Sequence, residues 1–232
     1  MTRACKLARS WDEYDAYLFD IDGTLIHCTD AVHYFAFCDV LSSVAGRPLN
    51  LDGVTAHGNT DVGILGDALT RAGIPDSQWR PQLQHICDTM CAFVHRRQSE
   101  LCVTTLPAVE DTLRHLRNKG AVIGLATGNL EEIGKLKLSA ARLLDYFHFG
   151  GWSDGLETRA DVFRRAVQRA KQLASPEAAI LVIGDTPSDI RAARANELAV
   201  VAVATGIYSF DQLTAEQPDL CIHSLEELAV CA

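Results

Sequence analysis

The stretch DAYLFDIDGTL, residues 15–25, decides how the rest of the chain is read. Asp15–Phe19 is a short apolar run that ends at Asp20, and Gly23 and Thr24 follow as a turn signal. A run of that length with that punctuation predicts a buried strand. Asp20 and Asp22 stand two apart, and an extended chain projects such residues to one face. Two ionised carboxylates so close repel each other. A protein keeps the pair when a cation neutralises it or when one member must hold a proton.

Downstream, the same pattern recurs. Pro107 opens a helix and Gly120 closes it. Ala121–Ala126 is an apolar strand ending at Thr127, and Tyr146–Phe149 is a further short strand. Val162, Phe163, Ala166, Val167, Ala170 and Leu173 share one helical face. Ala179–Ile183 is a strand ending at Gly184-Asp185; Thr186 can cap the next helix, with Pro187 at its first position. Leu198–Ala204 and Asp219–Ile222 complete the strands. Strands alternating with helices predict a mostly parallel, Rossmann-like α/β core covered on both faces.

Residues 30–100 read differently. Val32, Phe35, Ala36, Val40 and Val44 follow helical spacing, as do Val62, Leu65, Leu69 and Ala72, and Leu83, Ile86, Met90 and Val94. Gly46-Arg47-Pro48 and Gly73-Ile74-Pro75 punctuate them. The expected organisation is an α/β core built from 1–26 and 101–232, with an all-helical cap, 27–100, inserted after the first strand. There it would cover the carboxyl edge of the sheet, where ligands bind in open α/β folds.

The 232 residues carry 21 Lys and Arg against 30 Asp and Glu, a formal charge of −9, which argues against a nucleic-acid binder that needs a basic face. No apolar run is long enough to span a bilayer and Met1–Ser10 lacks a signal core, so no membrane and a cytoplasmic location are expected. The eight cysteines form no CxxC pair and read as reduced, packed side chains.

Three strands thus end in Asp20, Thr127 and Asp185, which a parallel sheet brings to one edge. Any one alone means little, because Asp and Thr also start turns and cap helices. Asp189 follows Asp185 by one helical turn. Four carboxylates without a His or Cys cluster suit a hard cation, magnesium before zinc.

DIDGTL (20–25), ATGN (126–129) and IGDTPSD (183–189) resemble three motifs of the haloacid dehalogenase-like superfamily, in their order and separation. The helical insertion resembles the cap of its phosphoglycolate phosphatase-like branch, and HGNTDVGIL (57–65) the glycine-containing cap segment. The resemblance implies a magnesium-dependent phosphatase acting on a small phosphorylated metabolite. Asp20 would be the nucleophile and Asp22 the acid/base. Asp20, the Asp22 carbonyl and Asp185 would hold magnesium, with Asp189 in support. Thr127, Gly128 and Asn129 would grip the phosphoryl oxygens.

One motif departs from the pattern. The family's lysine before the last motif is missing from GLETRADVF (155–163), whose only basic residue, Arg159, is assigned that role alongside a plain reading as a solvent-facing arginine at a helix start. His27 and Cys28 stand where relatives often carry Asp-Ser; His27 reads equally as a substrate-facing or a hinge residue. His57, Asn59 and Thr60, grouped around Gly58, are the candidate cap residues for substrate choice, alongside a plain reading as a turn and helix start with Thr60 as N-cap. A dehalogenase would not need Asp22, and a phosphonate hydrolase would want a cap lysine that is not evident. A sugar-phosphate mutase shares both aspartates and is the rival reading. A non-catalytic module would be expected to lose one of the four central residues.

Overall fold

The computed structural model describes residues 6–230. Its centre is a six-stranded, wholly parallel sheet of β1 (Ala16–Phe19), β4 (Val122–Ala126), β5 (Phe149–Gly151), β6 (Ile180–Gly184), β7 (Ala199–Val203) and β8 (Leu220–Ile222), in the order β5-β4-β1-β6-β7-β8. A separate antiparallel ribbon pairs β2 (Ile26–Cys28) with β3 (Val103–Thr105).

Alternation along β1 explains why it is central. Tyr17 and Phe19 point into an apolar layer with Leu113, Leu116 and Leu138, which lie on α5 (Val109–Asn118) and α6 (Glu131–Ala140). Ala16 and Leu18 point to the opposite layer. That layer holds Val162, Phe163 and Ala166 of α7 (Arg159–Leu173) and Ile190 of α8 (Pro187–Ala195). All four β1 residues are fully buried. Burying a large apolar side chain is worth roughly 1.5–3 kcal/mol, so packing fixes the strand and leaves the residues after it available for chemistry. The short α9 (Phe210–Ala215) covers the β7–β8 side.

Between β2 and β3 lie α1 (Val32–Ala45), α2 (Asp61–Arg71), α3 (Asp76–Trp79) and α4 (Leu83–Arg96). Gly46 and Gly73 follow α1 and α2 with φ of 64° and 77°, a region glycine enters without strain. Phe37, Leu65, Leu69, Trp79 and Met90 form the centre of this helical layer, and Leu130 and Ile133 of the α6 region join it. Among the described residues no helix is long and apolar enough to cross a membrane. The six described cysteines are free thiols.

Two local expectations differ from the structure. Leu144–Tyr146 is a 3-10 turn, and the neighbouring strand is Phe149–Gly151 rather than Tyr146–Phe149. Tyr146 packs against the apolar layer of α5 and α6, with the Arg117 guanidinium 4.7 Å from its ring centroid. Pairing begins later, where Gly150 and Gly151 let Trp152 and α7 come close; a Cβ on Gly151 would sit 2.7 Å from that of Ala166. The β2–β3 ribbon is the second difference: its three-residue strands give too short a pattern to read.

Candidate active site

Three of the strands deliver the site to one edge. Asp20 follows β1, Thr127 follows β4 and Asp185 follows β6, and all three are buried. The Asp20 amide donates to the Ile183 carbonyl at 3.0 Å, extending the ladder into the site. Gly23 turns the chain away with φ 83°, and a Cβ there would overlap the Asp185 carboxylate. Thr24 donates to Asp185 Oδ1 at 3.0 Å, tying the first motif to the last.

Asp20, Asp185 and Asp189 bring carboxylate oxygens within 4.8 Å of one another. Among the described residues one cation faces them. Arg159 Nη2 lies 2.7 Å from Asp20 Oδ1 and 2.6 Å from Asp189 Oδ1, and its Nε donates to Asp189 Oδ1 at 3.0 Å. Asp189 is completely buried, and its other oxygen accepts from the Thr186 amide (3.1 Å) and hydroxyl (2.7 Å) in a capping box at the start of α8. Its oxygens therefore hold Arg159 and the helix start, behind the cleft rather than in its wall.

The remaining charge is unbalanced. Burial pushes the Asp20 carboxyl up to about 6; Asp189 and Asp22 add to the rise and Arg159 opposes it. Asp185 is raised well above the ordinary carboxylate range by burial and then by Asp20 and Asp189. Two buried carboxylates short of positive charge, with oxygen donors only, fit a hard divalent cation held between Asp20 and Asp185.

Asp22 is in a different state. Its side chain is 40% exposed toward the cleft, and beneath it lies Lys137, 6% exposed, with Nζ 2.9 and 2.8 Å from the two carboxylate oxygens. Lys137 also donates to Asn129 Oδ1 (2.8 Å), and Asn129 Nδ2 donates to Asp22 Oδ2 (2.8 Å) and Thr127 Oγ1 (2.9 Å). Burial raises the Asp22 carboxyl, but the Lys137 charge and these hydrogen bonds outweigh it and bring it to about 2. Asp22, Asn129, Thr127 and Lys137 thus form one network beside the acidic cluster.

Lys137 was not among the candidates read from the sequence. It sits on α6 in the buried face made by Leu130, Ile133 and Leu138. A lysine on an otherwise apolar helical stripe is a signal in itself, because a buried ammonium requires a buried partner. Replacing it with methionine is expected to destabilise the protein by several degrees at neutral pH. The sign follows from the pair. Asp22, lowered, contributes stability above about pH 4 and loses it as pH falls toward 2; Lys137, raised from 10.5 to about 12, contributes below about pH 10 and loses it above. Melting curves should therefore separate wild type from Lys137→Met most widely between about pH 4 and 10 and converge in acid.

The helical insertion closes the cleft from above. The Asp61 amide donates to the Gly128 carbonyl at 2.7 Å, Asp61 Oδ2 accepts from the Leu130 amide at 2.8 Å, and Arg80 pairs with Glu157. A Cβ on Gly128 would collide with the Asn59 carbonyl and come within 2.9 Å of Arg159, so this approach requires glycine. Gly58 packs against α8 in the same way, with its would-be Cβ 2.8 Å from Thr186 Oγ1.

His57 is exposed and lines the cleft mouth. Asn59 borders the cleft, but its amide is engaged with Asp67 (3.1 Å), the Thr55 carbonyl (3.4 Å) and the Thr60 amide (2.8 Å). Thr60 caps α2, accepting from the Gly63 amide at 2.9 Å, and donates to the Glu157 carbonyl at 2.8 Å. It is not in the cleft wall. His27 is exposed on the β2–β3 ribbon, outside the cleft, while the Cys28 thiol lies 3.6 Å from Asp22 Oδ1.

Known proteins fit this picture. Phosphoglycolate phosphatase of Nitrosococcus oceani is 26% identical over 216 residues, covering 91% of this chain and 93% of its own. Phosphoglycolate phosphatase of Cereibacter sphaeroides is 29% identical over 181 residues, 77% of this chain and 79% of its own. The crystal structure of CbbY from Rhodobacter sphaeroides in complex with phosphate superposes with a TM-score of 0.70 at 18% identity, covering 93% of this chain and 96% of its own; it shares the fold. The sequence profile of the haloacid dehalogenase-like hydrolases matches residues 14–196, which span β1 through α8 and every residue of the acidic cluster. The chain belongs to the haloacid dehalogenase-like hydrolase family.

Proposed function

We propose that this protein is a magnesium-dependent phosphatase that hydrolyses a small phosphate monoester through an aspartyl-phosphate on Asp20. The observation that supports the reading is the different surroundings of the two aspartates: Asp20 lies in the acidic cluster against Arg159, Asp22 on the cleft floor above Lys137. The relatives named phosphoglycolate phosphatase support a phosphate ester as substrate.

Asp20, the Asp22 carbonyl and Asp185 would hold magnesium, with Asp189 behind them. Bound there, it supplies charge that offsets the phosphoryl group's repulsion of a carboxylate nucleophile. Asp20 forms a bond to phosphorus as the bond to the leaving oxygen breaks, and Asp22 gives that oxygen a proton. Water then attacks the phosphorus of the acyl phosphate, Asp22 takes its proton and the Asp20 carboxylate is released. Arg159 orients Asp20 and takes the place of the family's lysine. Thr127 and the backbone at Gly128 and Asn129 bind phosphoryl oxygens. The inserted helices act as the cap, 27–100 in outline, and exclude water from the reacting atoms.

A sugar-phosphate mutase would use the same two aspartates but return the phosphoryl group to a sugar hydroxyl. Phosphorus NMR of reactions with a panel of phosphorylated metabolites tests the assignment. Inorganic phosphate is the expected product; an isomeric sugar phosphate without phosphate release would establish the mutase instead.

A further inference from the structure

We infer, building on the phosphatase reading, that Lys137 is a positioning residue for the acid/base. It fixes the Asp22 carboxylate, directly and through Asn129, where the leaving oxygen is protonated. An ammonium has three N–H donors. Among the described residues, those of Lys137 all go to the cleft network: Asp22 Oδ1 at 2.9 Å, Asp22 Oδ2 at 2.8 Å and Asn129 Oδ1 at 2.8 Å. Packing alone would place an apolar side chain here, on a helical face with Ile133 and Leu138. Taking an ammonium out of water is unfavourable unless its partners offset the cost, and the partners of this one are site residues.

The direction of the Asn129 amide follows from Lys137. An ammonium only donates, so the amide turns its oxygen to Nζ. Its nitrogen then faces Asp22 Oδ2 at 2.8 Å and Thr127 Oγ1 at 2.9 Å. Lys137 thereby holds the acid/base and, through Asn129, ties it to the threonine assigned to the phosphoryl oxygens. The other partner of the Asp22 carboxylate is the Cys28 thiol, a weak donor 3.6 Å from Oδ1. With Lys137 removed, the amide is free to reverse. The Asp22 side chain, 40% exposed, is then free to rotate into the cleft. A displacement of about 1 Å at a reacting group can cost about 10²-fold. Asp20 keeps its own cation, Arg159, so the loss falls on protonation of the leaving oxygen rather than on attack at phosphorus.

The test uses two aryl phosphates of similar shape, phenyl phosphate and 4-nitrophenyl phosphate, with magnesium present. Nitrophenolate leaves without a proton, whereas the more basic phenolate depends on one. Lys137→Met is expected to lower kcat/KM for phenyl phosphate about tenfold more than for 4-nitrophenyl phosphate, inside the roughly 10²–10⁴-fold reach of a general acid. In an Asp22→Asn background the same substitution should leave the ratio of the two esters unchanged, because the group it positions is gone. Lys137→Gln keeps a donor without the charge and gives the same test at smaller amplitude should Lys137→Met not fold. A merely structural lysine would lower both esters alike in either background. Equal losses on the two esters, or a ratio shift that persists without the Asp22 carboxylate, would overturn the positioning role and leave the phosphatase reading standing. Failure of the wild type to hydrolyse either ester would overturn both.

Discussion

Asp20→Asn is expected to lower turnover of any phosphate ester by roughly 10⁴-fold or more, the scale on which loss of a covalent nucleophile acts. The amide is close in size and keeps an oxygen for Arg159, whose second partner Asp189 is untouched, so the fold is retained. The metal-free variant should in fact be more stable than wild type at pH 7. A carboxyl whose value rises to about 6 on folding stabilises the native state below about pH 4 and loses that advantage as pH rises through 6. Asparagine has no charge to desolvate. The expected gain in melting temperature at pH 7, without divalent cations, is on the order of 5 °C, and it should vanish near pH 4. Activity lost together with stability would mean that the substitution had damaged the site rather than removed its nucleophile.

Asp22→Asn is expected to cost about 10²–10⁴-fold, the usual contribution of a general acid/base. At neutral pH the Asp22 carboxyl, near 2, is ionised in the free protein. An arriving phosphoryl group adds negative charge beside it and raises its proton affinity. The loss should therefore grow with the basicity of the leaving alkoxide: large for an alkyl phosphate, small for a nitrophenyl phosphate whose oxygen needs no proton. Because the change also strips Lys137 of its counter-charge, a lower melting temperature should accompany it, opposite to the effect at Asp20. A rate near wild type on an alkyl phosphate would remove Asp22 from the acid/base role.

Much of this arrangement is visible in the sequence because burial and chemistry lie in adjacent residues. Strands β1 and β6 are buried along their whole length, so they read as uninterrupted apolar runs, and the aspartates after them mark where each leaves the sheet. The capping box at Thr186–Asp189 has its own local signature. Lys137 was less legible. Its partners Asp22 and Asn129 are 115 and 8 residues away, and only the tertiary fold reveals that a lysine on an apolar helix face ends at a carboxylate. Arg159 was located by elimination within a motif, yet its shared hold on Asp20 and Asp189 depends on the packing of α7 against α8. The cap was legible as helices but not as chemistry. Asn59 and Thr60 are polar residues whose hydrogen bonds hold the helical insertion together and to the core, whereas Tyr34 and Phe37 of α1 line the cleft. On a helix, such residues look like any other apolar stripe.

The measurement that bears most directly on the central claim is phosphate release from an aryl phosphate by one preparation, before and after removal of divalent cations. Turnover is expected to disappear on thorough chelation and to return with added magnesium, while Asp20→Asn stays inactive in both conditions. Full activity after chelation, or multiple turnover by Asp20→Asn, would contradict a magnesium-dependent phosphatase that works through Asp20.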